Sequence, residues 1–82
     1  MNEFDTLWVE CLGLRAKLGS TKGTLALWYD ERFVVGYAHY DDLVTLAYGN
    51  TSLEAITTYH RLLLDRLEQR RSELRAKLGD LG

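Results

Sequence analysis

Three side chains in this sequence are of the types that act as nucleophiles or general bases: Cys11, His39 and His60. A thiol needs a neighbouring base to become an effective nucleophile, and a catalytic histidine must be positioned against the proton that it transfers. Cys11 falls on the apolar stripe of a predicted helix, where a buried and unreactive thiol is expected. We therefore predict no catalytic residue and no enzymatic activity.

The segment from His39 to Asp42 places an imidazole and two carboxylates at a predicted hairpin. These groups can bind metal ions, but a complete site needs about four ligands, and the sequence contains no second cluster to supply the others. Acidic residues are also common in turns, where they stay solvated. The sequence therefore predicts neither a metal site nor a cofactor.

The loop GSTKG, residues 19–23, has the composition of a phosphate-binding loop but not its order. In that motif a glycine directly precedes the lysine, and the loop leads from a strand into the N-terminus of a helix. Here Gly23 follows Lys22, and the loop leads from a predicted helix into a predicted strand. We therefore expect no nucleotide and no small-molecule substrate.

The elements that hold these residues follow from the spacing of the apolar positions. Helical spacing predicts a helix over residues 3–18 with Asn2 as its N-cap, although Gly13 leaves a strand at LWVECLGL as the competing interpretation. Runs of β-branched and aromatic residues predict strands over 24–29, 32–40 and 43–48. A capping box formed by Thr51 and Glu54 opens a predicted helix over 52–78.

Short polar breaks between the strands indicate hairpins and therefore an antiparallel meander. The predicted fold is α+β with the order α-β-β-β-α, in which a three-stranded sheet packs against an N-terminal helix and a long C-terminal helix. We expect one compact domain over residues 1–82, because a chain of this length can hardly divide its core.

The hexamer LRAKLG occurs twice, at residues 14–19 and 74–79. The residues that flank the two copies differ, so the duplication does not indicate a structural repeat. Basic residues followed by a glycine are typical of a helix end, because cations offset the helix dipole and glycine readily adopts the left-handed conformation. We therefore expect helices to end near Leu18 and Leu78.

Two-residue hairpin loops would pair Tyr29 with Arg32 and Tyr40 with Leu43, and this register sorts the strand residues onto two faces. The predicted helix-covered face contains Leu25, Leu27, Val34, Gly36, Ala38, Thr45 and Ala47. The predicted partner-binding face is aromatic and contains Trp28, Phe33, Val35, Tyr37, His39, Val44, Leu46 and Tyr48. An exposed apolar face of this kind marks an interaction site. Two alternatives stay open: the helices lie on opposite faces, or the register differs by one residue.

The last predicted helix, at roughly 40 Å, is longer than the strands and should extend past the sheet. A heptad-like seam follows it through Leu64, Leu67, Arg71, Leu74 and Leu78. The seam is shorter than a typical coiled coil, so it packs either against the first helix or against a second chain.

The net charge of −2 is unevenly distributed, since residues 1–56 hold four bases and eight acids, whereas residues 57–82 hold six bases and four acids. The element order resembles that of double-stranded RNA-binding domains, which implies contact with phosphates through the last helix. Its arginines are Arg61, Arg66, Arg70, Arg71 and Arg75. The turn TSLEAITT, however, lacks the bases which that family carries there, and pairs such as Arg61 with Asp65 and Glu73 with Lys77 indicate a solvated helix face. Nucleic-acid binding is therefore the alternative expectation.

The chain start lacks the features of a secretory signal, no apolar run approaches the roughly 20 residues of a membrane span, and one cysteine suits a reducing compartment. We therefore expect a cytoplasmic protein.

The element order and acidic charge also resemble those of some phage-encoded inhibitors of CRISPR nucleases, a likeness of fold alone. The leading expectation is a small regulator or inhibitor that binds itself or a larger protein through the aromatic face and the last helix.

Overall fold

A computed structural model describes residues 2–19 and 22–81 of the chain. The elements are α1 (Glu3–Lys17), β1 (Thr24–Tyr29), β2 (Phe33–His39), β3 (Asp42–Gly49) and α2 (Ser52–Leu81). The strands form one antiparallel sheet in the order β1-β2-β3, so the predicted α-β-β-β-α fold is confirmed. Ser20 and Thr21 of the predicted GSTKG loop lie outside the described residues.

Helix α1 begins at the predicted cap. The side-chain oxygen of Asn2 accepts a hydrogen bond from the backbone N–H of Asp5 at 2.8 Å, which satisfies a donor that has no partner inside the helix. The helix runs through Gly13 without a break, and it buries Cys11 and Leu14 against the rest of the domain. The competing strand interpretation is therefore wrong, because the helical apolar stripe finds a core to pack against.

The two copies of LRAKLG do not both end a helix. In the first copy the helix stops at Lys17, and Gly19, with a φ of 74°, donates its backbone N–H to the carbonyl of Ala16 at 3.1 Å. This glycine cap confirms the predicted helix end. Helix α2, in contrast, continues through the second copy to Leu81, so the predicted end near Leu78 is wrong. A Cβ added at Gly79 would meet nothing within 4 Å, and no tertiary contact forces the chain to turn there.

The predicted capping box at the start of α2 is present. The backbone N–H of Glu54 donates to Oγ1 of Thr51 at 3.1 Å, and the Glu54 carboxylate accepts from the N–H groups of Asn50 at 2.7 Å and Thr51 at 3.1 Å. These bonds define a tight turn between β3 and α2. Helix α2 therefore runs back across the sheet immediately after the last strand ends.

Both hairpins differ from the predicted register. Tyr29 pairs with Phe33 rather than with Arg32, because the first loop has three residues and Glu31 adopts a φ of 60°. In the second hairpin His39 pairs with Asp42, and Tyr40 lies in the loop with a φ of 53°. The predicted pairing between β1 and β2 was thus wrong by one residue, which transfers every side chain of β1 to the other face of β2.

An irregularity in the ladder shifts the register again near the middle of β3. Val35 pairs with Ala47, whereas the next residue of β2, Gly36, pairs with Thr45, so Leu46 is the extra residue of a β-bulge. Leu46 and Ala47 both contact the core. Beyond the bulge, Tyr48 lies opposite Val34 and therefore on the face away from the core.

The two helices lie on the same side of the sheet, so the alternative with helices on opposite faces is wrong. Helix α2 packs on β2 and β3, and α1 packs mainly on α2. One continuous core joins them to the sheet, and it contains Cys11, Leu14, Leu25, Val35, Ala47, Ala55, Ile56, Tyr59 and Leu63. The helices run in the same direction, since His60 of α2 lies 2.9 Å from Glu10, and Arg70, further along α2, donates to the carbonyl of Lys17 at 3.3 Å. Within residues 2–19 and 22–81, neither helix combines the length and the apolar character of a membrane span.

Candidate interaction surface

The side of the sheet that faces away from both helices is apolar and is covered by no other described element. We call this side the open face. The strand pairing assigns to it Thr24, Ala26, Trp28, Val34, Gly36, Ala38, Leu43, Thr45 and Tyr48. It carries no charged residue. Leu43 is 60% exposed and Tyr48 is 47% exposed, so apolar atoms of this face are in contact with water.

The centre of the open face is enclosed by its own aromatic side chains. Val34 is only 2% exposed, although it does not belong to the core formed with the helices. Trp28 lies opposite Val34 on one neighbouring strand and Tyr48 lies opposite it on the other. Cη2 of Trp28 approaches to 2.8 Å from the position that a Cβ on Gly36 would take, so the indole ring rests on this glycine. Trp28 and Tyr48 thus form two walls around Val34.

A groove continues the open face around the β3 edge to the start of α2. The guanidinium carbon of Arg32 lies 4.1 Å from the centre of the Tyr48 ring, within the range of a cation–π interaction. Next to this pair is a shallow groove of about 510 Å³, lined by Arg32, Tyr48, Gly49, Asn50, Leu53, Glu54, Thr57 and Thr58. The groove adds polar side chains to the rim of an otherwise apolar surface, as is usual at protein interfaces.

The structure corrects the predicted partner-binding face. Val35 is 0% exposed in the core, and Phe33 and Leu46 pack against it. Tyr37 and His39 lie on the helix side, because side chains alternate along β2. Val44 lies opposite Tyr37 and therefore also on the helix side. Of the eight residues predicted for the partner-binding face, only Trp28 and Tyr48 lie on the open face.

The missed residues of the open face are Ala26, Val34, Gly36, Ala38, Leu43 and Thr45. Four of them, Val34, Gly36, Ala38 and Thr45, were predicted on the helix-covered face, because the prediction gave the loop after Tyr29 two residues instead of three. The sequence holds one signal for the longer loop, since the break after Tyr29 lacks the glycine that two-residue hairpin loops prefer.

Only part of the predicted seam on α2 is packed within the domain, and the rest is exposed to solvent. Leu67 packs against the core, whereas Leu64 is 44%, Leu74 53% and Leu78 69% exposed. Helix α1 reaches along α2 as far as Arg70, and every residue from 71 to 79 is exposed. We call residues 71–79 the overhang. Helix α1 therefore covers the start of the seam, while Arg71, Leu74 and Leu78 have no covering element among the described residues.

The arginines of α2 do not form one continuous track. All five arginines are exposed, but Arg66 lines a pocket on the helix side of the sheet and Arg70 bonds to the end of α1. The ion pairs predicted between Arg61 and Asp65 and between Glu73 and Lys77 are not formed within 4.0 Å. In the described part of the chain the single contact of this kind joins Nε2 of His60 to the carboxylate of Glu10 at 2.9 Å.

Cys11, His39 and His60, whose side chains are of types that can act in catalysis, lie apart from the open face. Cys11 is 0% exposed, and burial, with a smaller effect of Glu10, raises the pKa of its thiol from 9.0 to about 11. The thiol is therefore protonated at neutral pH, and the prediction of a buried thiol is confirmed. The ring of His39 lies 4.5 Å from that of Tyr40. No group of three or more His, Cys, Asp or Glu residues suited to a metal ion occurs within residues 2–19 and 22–81.

Two surfaces thus stand out in the described structure: the open face with its walls of Trp28 and Tyr48, and the overhang with Leu74 and Leu78. Each exposes apolar side chains that the fold itself does not use. Comparisons with known protein families, curated proteins and solved structures found no match to this chain. The open face and the overhang are therefore the candidate interaction surfaces of this chain.

Proposed function

We propose that this chain is a non-catalytic protein-interaction module that forms a homodimer, in which the overhang of each copy packs on the open face of the other. The observation that carries the proposal is the position of both helices on one side of the sheet. This arrangement leaves an apolar sheet face without a covering helix and, in the same chain, apolar helix turns without a sheet. Burying each against the other removes both from water.

The charges of the two surfaces are complementary. The overhang holds three bases and one acid, whereas the two hairpin loops, residues 30–32 and 40–41, hold three acids, Asp30, Glu31 and Asp41, and one base, Arg32. A basic helix end with two exposed leucines therefore suits an apolar face with acidic ends. Such complementarity orients the partner and accelerates association.

The direction of α2 carries the overhang past one end of the sheet. Because α2 turns back directly after β3, its overhang leaves the sheet at the β2–β3 hairpin, where Asp41 and Asp42 lie. Consider two copies related by a twofold axis in the plane of their sheets. The overhang of each copy would then extend from its own β2–β3 end and lie over the open face of the other copy. Both contacts are then identical by symmetry, as in most homodimers. Residues 71–79 span about 14 Å of helix, which fits within a strand length of roughly 23 Å.

In this proposal the dimer acts as a cytoplasmic regulator or inhibitor of a larger protein, in line with the fold-level likeness to phage-encoded inhibitors. The groove beside Arg32 and Tyr48 lies at the rim of the open face. It offers a polar surface for this larger protein, because the proposed contact between overhang and open face does not use it.

The test is the mass in solution, measured by light scattering over a series of protein concentrations. We expect a dimer that dissociates on dilution. The double variant Leu74→Gln/Leu78→Gln is expected to be monomeric, with a monomer stability within about 0.5 kcal/mol of the original chain, because both leucines are exposed. The matched control is Val9→Gln, which changes an exposed apolar residue of α1 (55% exposed) and should leave the dimer intact.

Mixing two monomeric variants separates this arrangement from other dimers. Trp28→Gln damages the open face and keeps the overhang, whereas Leu74→Gln/Leu78→Gln damages the overhang and keeps the open face. A mixed pair retains one intact contact of the two, so mixing should partly restore the dimer. Pairing of overhang with overhang, or of face with face, predicts no such restoration. A chain that is monomeric at every concentration would contradict the homodimer and leave the open face for a different protein.

A further inference from the structure

A second concave region lies on the helix side of the sheet, where the end of α1, the start of β1 and the middle of α2 meet. Its volume is about 390 Å³, and it is lined by Arg15, Gly19, Lys22, Tyr37, Leu46, Tyr59, Leu63 and Arg66. This volume lies within the range of small-molecule sites. The pocket is separate from the open face and from the overhang.

The pocket concentrates positive charge without a compensating acid. Arg15, Lys22 and Arg66 come from three different parts of the chain, and none of the described lining residues is acidic. No carboxylate of the described residues forms an ion pair with any of these three cations within 4.0 Å. The like charges of these three cations repel one another, and an anion between them relieves this repulsion.

Arg15 is the most constrained of the three cations. Its side chain is buried, with the residue only 6% exposed, and its guanidinium carbon lies 5.5 Å from the centre of the Tyr37 ring. One nitrogen donates a hydrogen bond to the carbonyl of Lys22 at 2.9 Å, which fixes the guanidinium in place. A guanidinium carries five N–H donors, so this single bond leaves donors for a ligand. A buried and pre-positioned cation is a favourable anion-binding group.

The carbonyl end of α1, which is the negative end of its dipole, is also close to this region. Arg70 donates a hydrogen bond to the carbonyl of Lys17 there, at 3.3 Å, and offsets part of that negative potential. The charged residues that line the pocket in the described structure are all cations.

The other walls supply a neutral hydroxyl and apolar surface. Burial raises the pKa of Tyr59, and this effect outweighs the opposing influence of Arg15 and Arg66, so its hydroxyl keeps its proton and is able to donate a hydrogen bond. Tyr37, Leu46 and Leu63 add apolar surface beside the cations. The combination suits a ligand that carries an anionic group next to an apolar group.

We propose that this pocket binds the phosphate group of a small phosphate monoester, with its apolar part against Tyr37 and Leu46. A phosphate monoester carries close to two negative charges at neutral pH, which matches three cations better than the single charge of a carboxylate does. Its oxygens also accept the fork of N–H donors that arginine presents. The site differs from a phosphate-binding loop, because side-chain cations from separate elements hold the anion in place of a helix N-terminus.

The experiment is a calorimetric titration of the full chain with three probes: phenyl phosphate, inorganic phosphate and benzoate. We expect saturable binding of the two phosphates, tightest for phenyl phosphate because its ring contacts the apolar wall, and weakest binding for benzoate. Benzoate binding as tight as that of phenyl phosphate would overturn the assignment of a phosphate site. Absence of saturable binding for all three probes would overturn the anion site itself.

Two variants locate the site. Lys22→Gln and Arg66→Gln each remove one cation at an exposed position, and each should weaken phenyl phosphate binding about tenfold, the usual effect of losing one charge-assisted hydrogen bond. The matched control is Arg61→Gln, which removes the same charge from α2 outside the pocket and should leave the affinity unchanged. Equal weakening by Arg61→Gln would overturn the pocket as the binding site. The double variant Leu74→Gln/Leu78→Gln should bind with unchanged affinity, so failure of the homodimer and failure of the pocket are distinguishable.

Discussion

The two sides of this sheet bury neighbouring valines by different means. Val35, which is 0% exposed, lies in the core formed with both helices, whereas Val34, which is 2% exposed, is enclosed by the side chains of its own sheet. The first kind of burial depends on elements that the fold holds in place. The second depends on Trp28 and Tyr48, whose rings can move or meet another surface. Burial of a residue therefore does not by itself show that it belongs to the core.

The largest expected effect on stability is that of a substitution at Gly36, on the open face of the sheet. A Cβ at this position would collide with the carbonyl of Val44 in the bulged strand and with the indole ring of Trp28, so Gly36→Ala is expected to cost about 3 kcal/mol of the free energy of unfolding. The matched control is Gly13→Ala in α1, where a Cβ meets nothing within 4 Å and alanine should stabilise the helix by about 0.5 to 1 kcal/mol. Urea denaturation measures both changes. A cost at Gly36 no larger than that at an ordinary surface site would show that neither contact is close.

The stability of the folded chain should also depend on pH, because of the buried Cys11 on the helix side of the sheet. Its pKa is raised from 9.0 to about 11 in the folded state, so between these values the unfolded chain loses the thiol proton and the folded chain retains it. Stability is therefore complete below pH 9 and falls as the pH rises towards 11, by about 2 to 3 kcal/mol.

Denaturation at several pH values between 8 and 11 in Cys11→Ala tests this contribution. Tyr59, whose pKa is raised mainly by burial and to a smaller extent by Cys11, is retained in both proteins. The stability of the variant should fall less over this interval than that of the original chain. Parallel curves for the two proteins would contradict the burial of the thiol.

The smallest expected effect compares the two valines directly. Val35→Thr places a hydroxyl in the core and should cost about 1 to 3 kcal/mol, the penalty for an unpaired buried polar group. Val34→Thr should cost less than half as much, because small movements of Trp28 or Tyr48 let water reach the hydroxyl. Thermal unfolding of the two variants, measured under the same conditions, gives the difference. Equal costs would mean that the open face is as rigid as the core.

Local signals in the sequence were sufficient for the elements but not for the faces of the sheet. The Asn2 cap and the Thr51–Glu54 capping box each need residues within four positions, and both are formed as predicted. The register depends instead on the left-handed conformation of Glu31 and on the bulge at Leu46. A non-glycine residue with a positive φ and a bulge are both stabilised by tertiary packing, so neither has a reliable pattern in a single sequence.

The candidate sites were predictable to different degrees. Trp28, Tyr48, Leu74 and Leu78 were found because large apolar residues beyond the needs of a core are visible in the sequence. The pocket formed by Arg15, Lys22 and Arg66 was missed, because these residues are far apart in the sequence and each lies in a segment with an ordinary charge pattern. Convergence of like charges is a property of the folded chain.

The hydrogen bond from Arg70 to the carbonyl of Lys17 has a consequence for the order of folding. It joins residues 53 positions apart, whereas the hairpins and the turn into α2 join near neighbours. Closing so long a loop costs more entropy than closing a hairpin, so we expect this bond to form after the strands and α2 have come together. The end of α1, which Gly19 caps locally, then gains one further donor from α2. Of the two copies of LRAKLG in the described structure, the first thus has both a glycine cap and a donor from a distant element, whereas the helix continues through the second.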